Sequence, residues 1–112
     1  MSEINTKVLL KGIGASPGLY RGKVTVIDRG GSNILIKSGE VIVIDFLTPM
    51  EIPHILEAGA IITDHGGVTS HAAVIARELG IPCIVSTGKA TKLLKDGMEV
   101  IVDGKKGIIY KP

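Results

Sequence analysis

Cysteine is all but absent. The 112-residue chain has one, Cys83, so no internal disulfide can form, and a reducing compartment is the simpler setting. Tryptophan is missing, and aromatics make up 3% of the residues (Tyr20, Phe46 and Tyr110). That scarcity removes aromatic stacking as a route to nucleic acid and leaves the core to Ile, Val, Leu and Ala. No uninterrupted apolar run approaches the ~18 residues of a membrane-spanning helix. The opening residues, Met1 to Lys7, lack the apolar stretch of a secretory signal, so a cytoplasmic location is expected. Neither sign of charge dominates: 13 Lys and Arg stand against 11 Asp and Glu, a net +2, and the longest basic run is Lys105-Lys106. The pI of about 8.8 alone would suggest a small nucleic-acid binder. The dispersed lysines give that reading no further support, and neither nucleic acid nor a membrane is an expected partner.

Hydrophobic residues are 45% of the chain and charged residues 21%, so the composition is that of a globular protein of one domain, residues 1–112. Glycine is plentiful, at 15 residues, and is spread between short apolar runs. The pattern is one of short elements joined by tight turns. Val8-Leu9-Leu10 precedes a Gly-rich segment, Gly12 to Gly18, read as a turn. The alternation around Val24 and Val26 predicts a half-buried strand. Asp28 to Asn33 reads as a turn and Ile34 to Ile36 as a brief strand. Val41 to Ile44 is a continuous β-branched run, which predicts a buried strand, and Ala60 to Thr63 reads as another buried strand. Thr48-Pro49-Met50-Glu51 has a capping residue, a proline at the first helical position and a capping-box acid; it predicts a helix to about Leu56, ending near Gly59. A second helix is expected from Ser70 to Leu79, stopped by Gly80 and Pro82. Cys83 to Val85 is a strand, Lys89 to Lys95 a short helix or irregular segment. Met98 to Val102 and Gly107 to Tyr110 flank the hairpin signal Asp103-Gly104.

The stretch with chemical content is strand, Gly66-Gly67, Thr69-Ser70-His71, helix. Two glycines let the backbone turn sharply and let a ligand come close. A helix starting near Ser70 presents unpaired N–H groups and the positive end of its dipole, which suit a phosphate. His71 falls in the first turn, where the dipole disfavours an imidazolium and favours a neutral, nucleophilic ring. The same dipole would stabilise a phosphoryl group placed on that ring. Thr69 or Ser70 could orient the ring or bond the phosphoryl oxygens.

The longer string Gly66-Gly67-Val68-Thr69-Ser70-His71-Ala72-Ala73-Val74-Ile75-Ala76-Arg77-Glu78-Leu79-Gly80-Ile81-Pro82 resembles the phosphohistidine signature of phosphoenolpyruvate-utilising enzymes. That family includes pyruvate phosphate dikinase, phosphoenolpyruvate synthase and enzyme I of the sugar phosphotransferase system. Gly14 to Gly18, Leu47-Thr48-Pro49, Ala60 to Thr63 and Asp103-Gly104 fall where the family has matching elements. The resemblance implies an α/β fold, a single swivelling β/β/α phosphohistidine domain with two or three short helices. It implies that His71 is the nucleophile that carries the phosphoryl group, supported by Thr69 and Ser70, with Gly66 and Gly67 shaping the phosphate-facing turn. It also implies partners: an ATP-grasp nucleotide-binding domain, a phosphoenolpyruvate/pyruvate TIM-barrel domain, or both. No cofactor is expected in this domain, and Mg²⁺ is expected in the partner sites. The chain holds only the carrier and should be inert alone. It is either a free-standing carrier or part of a longer enzyme; Met1 and the compact boundaries favour the former. The rival function is a non-catalytic regulatory or interaction module, like the extra C-terminal domain of some pyruvate kinases.

Other residues read more plainly. His65, His71 and Cys83 match no standard metal spacing, so no metal site is expected and His65 is taken as a turn residue. His54 is expected at or near the surface and Cys83 in the core. Gly12 to Gly18 has the spacing G-x-G-x-x-x-G, which is not a dinucleotide fingerprint. Arg77, six positions past His71, points away from it and is expected in a salt bridge or partner contact.

Overall fold

The computed structural model describes residues 7–27 and 36–112. These form β1 (Lys7–Lys11), β2 (Ile13–Ser16), β3 (Leu19–Val26), β4 (Val41–Ile44), β5 (Ala60–Thr63), α1 (His71–Leu79), β6 (Cys83–Val85), α2 (Ala90–Leu93), β7 (Glu99–Asp103) and β8 (Ile108–Lys111). The strand order is β1-β8-β7-β3-β4-β5-β6-β2. The β3-β4-β5-β6 block is parallel, and β7, β8, β1 and β2 each run antiparallel to their neighbours.

The β/β/α expectation is met. All of β4 and β5 is buried, and successive side chains serve different faces. Ile42, Ile44 and Ile61 join the cluster that holds Ala72, Ala73 and Ala76 of α1. Val41, Val43, Ala60 and Ile62 join Val100 and Val102 of β7 and Ile109 of β8, with Ala90 and Leu94. The parallel strands therefore lie between a helical layer and an antiparallel layer. Each fully buried Ile or Val contributes about 1.5–3 kcal/mol relative to exposure, and no aromatic ring is needed among the fully buried side chains.

β1 and β2 stand at opposite ends of the strand order, yet only Gly12 separates them in sequence. The sheet must curl until its ends meet there. The Gly12 N–H donates to the Gly107 carbonyl at 2.8 Å and the Gly104 N–H to the Gly18 carbonyl at 2.8 Å. At these crossings backbone lies on backbone: a Cβ on Gly104 would overlap the Ser16 carbonyl oxygen, and one on Gly14 would overlap the Gly104 carbonyl oxygen.

That packing corrects the reading of Gly12 to Gly18 as a turn. The segment contains a strand, β2, paired with β6 through Ile13↔Val85, Gly14↔Ile84 and Ser16↔Cys83. Gly12 and Gly14 answer to close backbone approach, while Gly18 takes φ +135° in the connection from β2 to β3. The helix expected from Thr48 to Leu56 is also corrected: only a 3-10 turn, Ile52–His54, forms. The capping box itself is present, with the Thr48 N–H donating to Glu51 Oε1 at 2.7 Å and the Thr48 hydroxyl to the same oxygen at 2.8 Å. Pro53 lacks the N–H that an α-helix would direct to the Pro49 carbonyl, so the Ile52 N–H takes that acceptor at 3.3 Å and the turn stays tight. The Asp28–Asn33 turn and all but Ile36 of the Ile34–Ile36 strand lie outside the described residues.

Candidate functional site

The site is built where β5 hands over to α1. Thr63 ends β5 fully buried, and its hydroxyl donates to the His65 carbonyl at 2.7 Å. The His65 N–H donates to the Asp45 carbonyl just past β4 at 2.8 Å, which ties together two loops at the C-terminal end of the parallel strands. The C-terminal ends of parallel strands are where ligands commonly bind in α/β folds. Gly66 follows at φ +115°, a conformation that side chains resist.

Ser70, expected as the first residue of the helix, is the N-cap of α1, which begins at His71. Its Oγ accepts from the Ala73 N–H at 3.4 Å, and its hydroxyl and N–H both donate to the Gly67 carbonyl, at 2.7 and 3.0 Å. Ser70 thus shapes the loop and caps the helix, rather than reaching out to orient a ring. Thr69 is exposed. His71 opens the helix, exposed, and its ring makes no hydrogen bond among the described residues. The first turn carries no acidic residue to compete with an anion there. Gly67 faces open space, with nothing within 4 Å of a Cβ placed on it. The five sequence-predicted residues, Gly66, Gly67, Thr69, Ser70 and His71, therefore form one turn around an accessible imidazole and a helix N-terminus.

α1 ends on Gly80 at φ +73°, whose N–H returns to the Ala76 and Arg77 carbonyls. Arg77 corrects the expectation of a salt bridge: its guanidinium donates to two backbone carbonyls, Ala15 at 2.9 Å and Val68 at 2.9 Å. Cys83 is buried as expected, and burial pushes its thiol up to about 12 against a smaller opposing pull from Arg77. His54 and His65 are both exposed. Among the described residues no group of three His, Cys, Asp or Glu side chains could hold a metal ion, and no helix is long and apolar enough to cross a membrane.

Sequence reasoning missed Asp64. Its buried carboxylate accepts from the Thr91 N–H at 3.0 Å, the Thr91 hydroxyl, and the Thr87 hydroxyl at 3.5 Å. Its carbonyl accepts from the Gly88 N–H at 2.9 Å. The residue anchors the start of the glycine turn to the segment before α2. An acid directly after a fully buried strand was the available signal, because a carboxylate there needs buried donors.

Residues 36–107 match the family described as PEP-utilising enzyme, mobile domain. The chain is 50% identical over 109 residues, 97% of its length, to a probable phosphoenolpyruvate synthase of Archaeoglobus fulgidus. It is 50% identical over 105 residues to phosphoenolpyruvate synthase of Pyrococcus furiosus. It spans only 14% and 13% of those two proteins. Among solved structures, enzyme I (nEIt) superposes with a TM-score of 0.61 at 39% identity, over 69% of this chain and 32% of that one. The aconitase X of Thermococcus kodakaraensis reaches 0.66 over 89% of this chain and 95% of that one; at 20% identity it shares the fold alone.

Proposed function

The chain belongs to the family of PEP-utilising enzyme mobile domains, and from that membership we propose that it is a phosphoryl carrier acting through His71. The observation that carries the reading is the His71 ring itself: exposed, free of hydrogen bonds among the described residues, and set on the first residue of α1 beside a turn whose two glycines leave space open. One ring nitrogen attacks phosphorus as the bond to the donor's leaving oxygen breaks, and that oxygen departs with the electron pair. The product is a phosphoramidate, whose P–N bond keeps enough transfer potential for delivery to an acceptor oxygen by the reverse displacement. The helix dipole and the unpaired amides of the turn bear the added negative charge. Gly66 and Gly67 leave room for it, while Thr69 lines the approach.

The chemistry belongs to phosphoenolpyruvate, pyruvate and ATP. Its donor and acceptor sites lie in partner domains or proteins of the ATP-grasp and TIM-barrel kinds, with Mg²⁺ bound there. Phe46, Met50 and Val68 are exposed apolar side chains in the loops that follow β4 and β5, and they suit a surface that docks and releases.

The test is intact mass after incubation with host lysate, Mg²⁺ and either ATP or phosphoenolpyruvate. A single acid-labile, base-stable phosphoryl adduct is expected on the wild-type chain and none on His71→Asn. No adduct with either donor, on protein shown to be folded, would replace the carrier by a non-catalytic interaction module.

A further inference from the structure

The Gly66–Thr69 turn has few restraints of its own. Two of its residues lack side chains, Val68 is 51% exposed, and Thr69 is exposed. The Thr69 N–H makes no hydrogen bond among the described residues. The one side chain from outside the turn that grips its later half is Arg77, through the Val68 carbonyl at 2.9 Å. The other arm of the guanidinium is fixed to β2 at the Ala15 carbonyl, also at 2.9 Å, so the fork is braced against the sheet.

A trans peptide points its N–H opposite to its carbonyl. Arg77 lies six residues, roughly 9 Å along the helix axis, past His71. The bond from Arg77 to the Val68 carbonyl therefore fixes the plane of the Val68–Thr69 peptide, and with it the direction of the Thr69 N–H, two residues before His71. We propose that Arg77 is a positioning residue: by holding the Val68 carbonyl it aims the Thr69 N–H at the phosphoryl group carried on His71. The proposal rests on the carrier reading. It gives Thr69 a backbone role in place of the side-chain role expected from sequence. It also explains why a cation stands near the site without facing it. Arg77 neutralises no phosphoryl charge directly; it sets the orientation of a peptide that does.

The test uses the ¹⁵N-labelled chain, phosphorylated with phosphoramidate, a small donor that needs no protein partner. On phosphorylation of His71 the Thr69 amide proton should move strongly downfield. In Arg77→Gln that movement should be lost, and the phosphoryl group should leave the histidine roughly three- to tenfold faster, the scale of one net hydrogen bond. Arg77→Lys should fall between, because an ammonium has no fork to bridge both carbonyls. A general loss of stability would not do this. Ile109→Val, a core trim on the other face, should keep the wild-type shift and lifetime. A wild-type Thr69 amide that stays put, or moves equally in both Arg77 variants, overturns the proposal, as does a His71 that phosphoramidate does not label. Should Arg77→Gln fail to fold, the wild-type and Arg77→Lys spectra decide. Failure of the carrier reading is separate: it shows as a chain labelled by phosphoramidate but never by ATP or phosphoenolpyruvate in lysate.

Discussion

Gly66 and Gly67 look interchangeable in the sequence but occupy different physical situations, and replacing each by alanine separates them. Gly66 sits at φ +115°, outside even the small left-handed helical region. Holding alanine there costs about 1–3 kcal/mol of backbone strain. Its Cβ would also stand 3.1 Å from Ser70 Cβ and 3.2 Å from Ser70 Oγ, crowding the group that caps α1. Losing that cap adds about 1 kcal/mol, so Gly66→Ala should cost roughly 2–4 kcal/mol in all. Gly67 is not among the residues with positive φ, and a Cβ on it meets nothing within 4 Å. Gly67→Ala should change stability by less than about 0.5 kcal/mol, or raise it slightly by restricting the unfolded chain. Urea unfolding followed by circular dichroism measures both, with unchanged slopes confirming that the same transition is compared. The functional arm is the rate of adduct formation on His71, which should fall with Gly66→Ala in protein that is still folded. Equal destabilisation by the two substitutions, within about 0.5 kcal/mol, would refute the strain argument.

Three further outcomes follow from the fold. Gly104→Ala should destabilise by about 3 kcal/mol or more, because the new Cβ would overlap the Ser16 carbonyl and stand 2.8 Å from Pro82 Cβ, where backbone cannot yield; thermal melting reads this, and a melting temperature within a few degrees of wild type would contradict it. Cys83, raised to about 12 by burial, should resist Ellman's reagent at pH 8 until urea exposes it. Above the ordinary thiol value of 9.0 the unfolded chain loses that proton while the folded chain keeps it. Stability should therefore decline as pH rises from about 9 toward 12, by on the order of 1 kcal/mol per unit, relative to Cys83→Ala measured in parallel.

Strands made of uninterrupted branched residues, such as Val41 to Ile44, were legible because a chain buried on both faces needs no polar positions. α1 was legible at both ends, since Ser70 and Gly80 supply local hydrogen bonds and backbone freedom that owe nothing to the rest of the fold. β2 was not. Its partner Val85 lies 72 residues from Ile13, and its Gly14 is required by the hairpin that crosses it. The Thr48 segment misled for the opposite reason: its capping signal is real, but one missing N–H at Pro53 outweighs it. At the site, the glycines, Ser70 and His71 share one local motif and were found together. Asp64 and the Arg77 clamp were hidden because their partners, Thr87, Thr91 and Ala15, are distant in sequence.

The Lys7↔Lys111 pairing has a mechanical meaning. Both ends of the described chain leave from neighbouring positions on antiparallel strands. A load applied across them would peel β1 from β8 one hydrogen bond at a time, the weakest direction in which a sheet can be pulled. Set within a longer polypeptide, the unit would be held by both ends at one place, beside Lys7 and Lys111, and peeling would reach the closure at Gly12 only after all of β1 had come away.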